Sequence, residues 1–331
     1  MRAVVLEKFG GPEVLKVQDI PRPLVGAEDI LIRVVATALN RADLAEREGR
    51  YPPPGRRPQY EIPGLEAAGV VEQVGERVTS FQPGDRVMAL LPGGGYAEFV
   101  AVHERLVMPV PESIPVIEAA AIPEVFLTAY DALFNQGGAR PGSRVLVHAG
   151  ASGVGSAALE IARETGMRAM ATVGSALKAE AARAFGAERV TNYREQRFLD
   201  EVALWSHSRG VDVILDFVGQ AYLHDNLKAL APGGTLVLIG ALSGYEGTIN
   251  LGLIQARRLK VHGTALRSRP LELKMGLVQQ FIHEALWLFE TGRMKPVIDR
   301  AFPLAAIQDA HRYLESNQNI GKILIQIGQE G

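Results

Sequence analysis

Up to residue 110 the apolar positions come in short runs, each closed by Gly, Pro or Asp. Ile30–Val35, Gly69–Gly75, Asp85–Leu90 and Tyr96–Val100 are such runs, with turns at Pro83-Gly84-Asp85 and Pro92-Gly93-Gly94-Gly95. Closely spaced strands cut by turns predict an antiparallel, partly open β-barrel rather than a βαβ sheet. Two loops interrupt it, 40–58 with the Pro-rich Tyr51-Pro52-Pro53-Pro54-Gly55, and 62–66. Long polar loops on a rigid barrel are places for a site. Residues 115–134 read as helix, divided at Pro123.

From Arg144 the period changes. Apolar strands at 144–149, 168–173, 189–191, 211–216, 234–239 and 259–263 alternate with helical stretches at 153–166, 175–185, 195–209 and 221–230. Continuous apolar strands separated by helices predict a doubly wound parallel sheet covered on both faces. The remainder reads as one long helix, 272–291, a second at 307–316 and a strand at 323–327. It is too small for a domain of its own and is expected to fold back on the first. The organisation is therefore α/β in class, divided as 1–122, 123–263 and 264–331.

The first strand of the second part runs into a glycine-rich turn, Val145-Leu146-Val147-His148-Ala149-Gly150-Ala151-Ser152-Gly153-Val154-Gly155. Strand, tight turn and helix form a seat for a pyrophosphate, because glycine lets the backbone approach the anion and the first helical N–H groups face it. An NAD site carries an acid at the end of its second strand to take the ribose 2′-hydroxyl. Here that strand ends at Val173 and is followed by Gly174-Ser175-Ala176-Leu177-Lys178. No carboxylate repels a 2′-phosphate there, while Ser175 offers a hydroxyl and Lys178 a cation. The expected cofactor is NADPH. Ser175 also reads as a helix N-cap and Lys178 as a solvated helix residue. Tyr193 is placed to flank the adenine or to be a half-exposed structural tyrosine.

Composition narrows the chemistry. The chain of 331 residues has no cysteine, and its seven histidines show no H-x-x-x-H or H-E-x-x-H spacing. Thiolate catalysis and Cys-ligated zinc are excluded, and no metal is expected. The net charge of −2 argues against nucleic acid and anionic membranes as partners. No apolar run approaches the ~18–20 residues that span a bilayer. The opening Met1–Lys8 is too short in its apolar part for a secretory signal, so a cytoplasmic location is expected.

The chain resembles the zinc-independent quinone oxidoreductases of the medium-chain dehydrogenase/reductase superfamily, the zeta-crystallin-like group, and within it the p53-inducible quinone oxidoreductase branch. The resemblance rests on Ala38-Leu39-Asn40-Arg41-Ala42-Asp43, Gly49–Gly55, Gly64-Leu65-Glu66-Ala67-Ala68-Gly69-Val70-Val71, Ala89–Gly95, His148–Gly155 and Asn319-Ile320-Gly321-Lys322-Ile323. It implies a GroES-like substrate domain (1–122), a Rossmann domain (123–263) with NADPH in the cleft between them, and a C-terminal segment returning to the first. It also implies a homodimer through the Rossmann sheet edges, leaving open whether dimers pair into tetramers. Zinc relatives carry Cys where this chain has Asn40, and Gly-His-Glu where it has Gly64-Leu65-Glu66.

Carried over by the resemblance, Asn40, Asp43 and Tyr51 line the acceptor and nicotinamide end, with Asn40 also touching cofactor; read by themselves they are equally loop hydrogen bonds, an Asx turn and an aromatic packed on the Pro-rich loop. Thr128 reaches the nicotinamide amide or is an ordinary interior threonine, and Gly150, Ser152, Gly153, Val154, Gly155, Gly174, Ser175, Lys178, Tyr193, Gly240, Leu266, Arg267, Asn319 and Lys322 border the dinucleotide, Lys322 being otherwise a surface charge. Ser152 stands where many relatives have glycine, either as a hydroxyl beside the cofactor or as an N-cap. The implied activity is NADPH-dependent reduction of quinones, ortho-quinones above all, with the cofactor supplying the chemistry. Hydride and one-electron transfer are not distinguished. The alternatives are an NADPH-dependent enone, alkenal or enoyl-thioester reductase, and an NADPH-binding protein with a structural or RNA-binding role.

Overall fold

The computed structural model describes residues 1–55 and 58–329. The chain forms two compact units, Met1–Leu127 with Leu266–Gly331, and Thr128–Ala265.

The second unit is a six-stranded parallel sheet of Arg144–Val147, Arg168–Val173, Arg189–Asn192, Val211–Asp216, Leu230–Leu238 and Lys260–Gly263. In space the strands lie in the order third, second, first, fourth, fifth, sixth. That is the Rossmann order, whose strand sequence reverses between the first and fourth strands, and a crevice opens there beyond the carboxyl ends. Val145, Leu146, Val147, Ile214 and Leu215 are fully buried, as the unbroken apolar runs require. Helices Gly153–Glu164, Ala176–Phe185, Phe198–Trp205, Leu223–Ala229 and Leu251–Arg257 connect the strands. The last of these is unmarked in the sequence reading.

The first unit is built on the strand Asp29–Ala38. It pairs antiparallel with Glu66–Val74, Phe99–His103 and Lys322–Gln326, and Arg86–Leu90 and Val107–Pro109 extend the sheet. The barrel is not wholly antiparallel, because Ile298–Pro303 pairs parallel with Lys322–Gln326. Arg2–Leu6 and Leu15–Asp19 form a separate antiparallel pair. The C-terminal strand thus completes a sheet begun far earlier in the chain.

Two expectations are corrected. The 40–58 loop opens with a helix, Arg41–Arg47, started by an Asn40–Asp43 cap whose polar residues read as loop chemistry in sequence. The single helix 272–291 is two, Leu271–Glu284 and Trp287–Glu290, because the chain leaves helical geometry at Ala285 (φ −130°). The 115–134 stretch is divided at Pro123 as expected, into Val116–Ala119 and Pro123–Tyr130, with Pro123 at a first-turn position that needs no N–H. Residues 123–127 belong to the first unit.

Candidate active site

In the second unit the turn after the first strand is formed by close approach. Ala149 adopts φ 50°. A Cβ on Gly150 would lie 2.6 Å from the Ala171 Cβ of the second strand, and one on Gly155 would collide with the Ala149 carbonyl. Ser152 is the N-cap of Gly153–Glu164, its Oγ accepting from the Gly155 N–H at 3.1 Å. No acceptor among the described residues takes the Gly153 and Val154 N–H groups. Free amides at a helix start, beside a wall only glycine permits, fit a pyrophosphate.

Beneath this turn lies a buried polar chain. His148 meets Thr172 Oγ1 at 2.9 Å and Asn226 Oδ1 at 2.7 Å, and Asn226 donates to Asp216 Oδ2 at 3.1 Å. Asp216 Oδ1 accepts from the Val218 N–H at 2.7 Å. Because Asn226 presents its oxygen to His148, the imidazole carries its proton on Nε2. Burial holds His148 neutral, with its pKa down to about 4, and pushes Asp216 up to about 6. Three strand ends are thereby tied together under the turn. In the sequence His148 stands out only as part of the glycine motif.

At the second strand's end, Ser175 caps Ala176–Phe185, accepting from the Lys178 N–H at 3.3 Å. The residue before it is Gly174, and a side chain there would meet the Tyr193 ring. Tyr193 is half-exposed and borders a cavity of about 330 Å³ lined also by Arg194, Arg197, Phe198, Tyr222 and Asp225. Gly240 follows the fifth strand, donating to the Asp216 carbonyl at 3.2 Å. Thr128 is nine-tenths buried.

The first unit gathers a second group of residues. Antiparallel pairing brings the ends of three strands together at Asn40, Glu66 and Lys322. Lys322 Nζ donates to the Leu39 carbonyl at 2.6 Å, Asn40 Oδ1 at 2.6 Å and Glu66 Oε1 at 2.8 Å, satisfying all three of its N–H bonds. Asn40 Nδ2 donates to the same Glu66 oxygen at 2.8 Å. The ammonium therefore joins the two loops in which zinc relatives hold their metal. Among the described residues no group of three His, Asp or Glu side chains is arranged to hold a metal ion.

Asp43 supports this corner from below. Its Oδ2 accepts from the Asn40 N–H at 2.7 Å and the Tyr96 hydroxyl at 2.9 Å, and Tyr96 lies 3.3 Å from His311 Nε2. Burial pushes Asp43 up to about 6. Gly64 sits at φ 104°, where a Cβ would lie 2.6 Å from the Tyr96 ring. That contact explains the glycine of the Gly64-Leu65-Glu66 motif.

Arg267 fixes the Tyr51 loop. Its guanidinium donates to the Pro92 carbonyl at 2.8 Å, the Tyr51 carbonyl at 3.0 Å and Glu46 Oε1 at 2.6 Å. Tyr51 is half-buried, and burial with the nearby Glu124 charge pushes its hydroxyl up to about 12. Arg267 and Lys322, expected beside the cofactor, thus direct their hydrogen bonds to protein acceptors of their own unit. Asn319 does the same, donating to the Gly321 carbonyl at 2.8 Å, and Leu266 is buried. Glu46, Glu66, Tyr96, Glu124 and His311 escaped the sequence reading. Glu66 alone had a signal there, as the acid retained from the zinc-type loop.

Residues 26–112 match the family described as "Alcohol dehydrogenase GroES-like domain" and residues 185–325 the one described as "Zinc-binding dehydrogenase". A quinone oxidoreductase of Rattus norvegicus is 34% identical over 329 residues, covering 98% of this chain and 97% of the relative. A solved Escherichia coli quinone oxidoreductase complexed with NADPH superposes with a TM-score of 0.89 at 30% identity, covering 98% of this chain and all of the other. A structure described as an NAD-dependent alcohol dehydrogenase gives 0.86 at 35% identity, covering 99% of this chain and all of the other.

Proposed function

The chain belongs to the zinc-independent quinone oxidoreductases of the medium-chain dehydrogenase/reductase superfamily, and from that premise we propose that it is an NADPH:quinone oxidoreductase. The observation that carries the choice of cofactor is Gly174. Relatives with NADPH and with NAD in their descriptions share this fold, so the fold leaves the choice open. The second strand of this chain ends on a residue with no carboxylate to oppose a 2′-phosphate, beside Ser175 and Lys178.

Gly150–Gly155 hold the pyrophosphate. Ser175, Lys178 and Tyr193 hold the 2′-phosphoadenosine, with the adjoining cavity taking the adenine. When bound, the nicotinamide supplies the hydride. The chain's own part in the reaction falls to the first unit. Lys322 and Glu66 fix the Asn40 amide, Arg267 fixes the backbone under Tyr51, and Tyr51 stays protonated at neutral pH to donate a hydrogen bond to an acceptor oxygen. Ortho-quinones suit this site, since their reduced oxygens are stabilised by the ring. A site held by hydrogen bonds rather than a metal suffices for them.

The test is oxidation of NADPH and of NADH against a panel of ortho-quinones, para-quinones and 2-alkenals. Preference for NADPH with ortho-quinones is expected, and equal use of NADH refutes the Gly174 argument. Tyr51, which keeps its proton at neutral pH and can hydrogen-bond an enolate oxygen, favours one second reading, reduction of an enone, alkenal or enoyl-thioester. Tyr51→Phe abolishing alkenal turnover while sparing quinone turnover selects it. Lys260–Gly263 is one of the two edge strands of the parallel sheet, Arg189–Asn192 being the other. The proposed homodimer pairs two such edges, and sedimentation tests it. No helix among the described residues is long and apolar enough to cross a membrane.

A further inference from the structure

Reduction of a quinone by two electrons leaves an oxyanion that needs a proton, and the first unit holds several acids that differ in how they are tied. Glu66 is fully engaged, with Lys322 and Asn40 on Oε1 and the Glu124 N–H on Oε2 at 2.8 Å. Asp43 is bound by Asn40 and Tyr96, and Glu46 by Arg267. Glu124 is different. Its backbone is pinned to Glu66, in the first turn of Pro123–Tyr130. Its carboxyl is half-buried and has no hydrogen-bond partner among the described residues. Its surroundings are mixed in charge: Glu66 and Asp43 oppose its ionisation, Lys322 and Arg267 favour it, and Lys274 and the Tyr51 hydroxyl also feel its charge.

We propose that Glu124 is the proton donor of the acceptor site, delivering its carboxyl proton to the oxygen of the reduced quinone beside Tyr51. The proposal rests on the quinone reductase reading above and takes the reduction as a two-electron one. The acceptor, having taken a hydride equivalent from the reduced nicotinamide, carries an oxyanion. The Glu124 O–H bond breaks, its electron pair stays on the carboxylate, and an O–H bond forms on the acceptor. Water returns the proton afterwards. Burial, with the Glu66 carboxylate close by, pushes the Glu124 carboxyl up to about 8, so the acid form prevails at neutral pH, as a general acid requires. Tyr51, higher still, donates a hydrogen bond to the same oxygen without losing its proton.

Two measurements test this together. Difference infrared spectra of wild type against Glu124→Gln, without cofactor, are titrated from neutral to alkaline pH. A protonated-carboxyl band present at pH 7 and lost with a midpoint near 8 is expected, and its absence at neutral pH overturns the proposal. Steady-state turnover of NADPH with an ortho-quinone gives the second readout. Glu124→Gln is expected to lower kcat by about 100-fold, the lower end of general acid catalysis, and to abolish the alkaline fall of the pH profile. Glu124→Asp is expected to restore part of both. A wild type that turns over quinones while Glu124→Gln keeps its kcat and its alkaline limb overturns the donor role alone. A wild type that turns over no quinone refutes the functional reading and the proposal with it.

Discussion

Replacing Arg267 by Met removes the guanidinium that ties Glu46, Tyr51 and Pro92 together. The Arg267–Glu46 pair is 2.6 Å long with side chains 2% and 1% exposed. Breaking such a pair from one side costs about 3–5 kcal/mol, because the remaining charge is buried and uncompensated. Two carbonyls also lose their donor. Glu46 limits the loss. Its second oxygen is buried without a partner, and the carboxyl stands at about 7 even beside Arg267. Without the guanidinium it takes up a proton at neutral pH. Arg267→Met should therefore cost about 3 kcal/mol at pH 7, the low end of the range, and more at pH 9. Glu46→Met leaves a guanidinium that cannot neutralise, so it should cost about 4–5 kcal/mol. The double variant should cost less than the sum by about 2–3 kcal/mol. Urea unfolding measures this, and the sequence provides a local probe. Of its two tryptophans, Trp205 lies in the second unit and Trp287 in the first, so in a Trp205→Phe background Trp287 reports the unit that holds the pair. In turnover assays the KM for the quinone should rise with little change in NADPH affinity, because the Tyr51 and Pro92 loops loosen. Additive single costs, or a loss below about 1 kcal/mol for Arg267→Met, would refute the reasoning.

Gly174→Asp should reverse the dinucleotide preference, gaining NADH use and losing NADPH affinity, in binding titrations of both. The atoms nearest to a Cβ at this position all belong to the movable end of Tyr193. Gly155→Ala should weaken NADPH binding at least tenfold in a fluorescence titration, because the added methyl collides with the Ala149 carbonyl and lies 2.9 Å from the Gly150 backbone. The buried His148 and Asp216 should give opposite pH dependences. His148, lowered from 6.5 to about 4, lends stability above pH 6.5 that fades as pH falls toward 4, by about 3 kcal/mol. Asp216, raised from 3.8 to about 6, lends stability below 3.8 that fades as pH rises through 6, by a similar ~3 kcal/mol. Relative to wild type, Asp216→Asn should therefore lose stability on acidification from pH 7 to pH 4, and His148→Gln should gain it, as measured by denaturant unfolding at each pH. Slopes of the same sign in the two variants would contradict the linkage.

Part of the site was legible in the sequence because its chemistry is local. Ser152 and Ser175 act through bonds to residues one turn away, so their spacing in the chain is their spacing in space. The missing acid at Gly174 is likewise read from the end of one strand. The helix Arg41–Arg47 was hidden because Asn40 and Asp43 satisfy loop and helix-cap patterns equally, and packing decides between them. Glu124 was hidden because an acid in a first helical turn is the ordinary partner of the helix dipole. What sets it apart is the Glu66 carboxylate brought against it by another strand.

The sequence by itself determined the class of the protein: the alternation of strands and helices, the pyrophosphate turn, the lack of a thiol for zinc, and the absence of an acid against a 2′-phosphate. Each follows from residues near one another in the chain. Only the tertiary structure decided the acceptor corner. Lys322 reaches Asn40 across 282 residues and Glu66 across 256, and Arg267 reaches Glu46 across 221. The Lys322 contacts depend on the register of antiparallel strands, where a slip of one residue would turn every side chain to the other face, whereas the Arg267–Glu46 pair depends on a turn packing against the helix Arg41–Arg47. No local pattern fixes that register. It is set by the burial of the whole sheet, and the charges at its end follow from it.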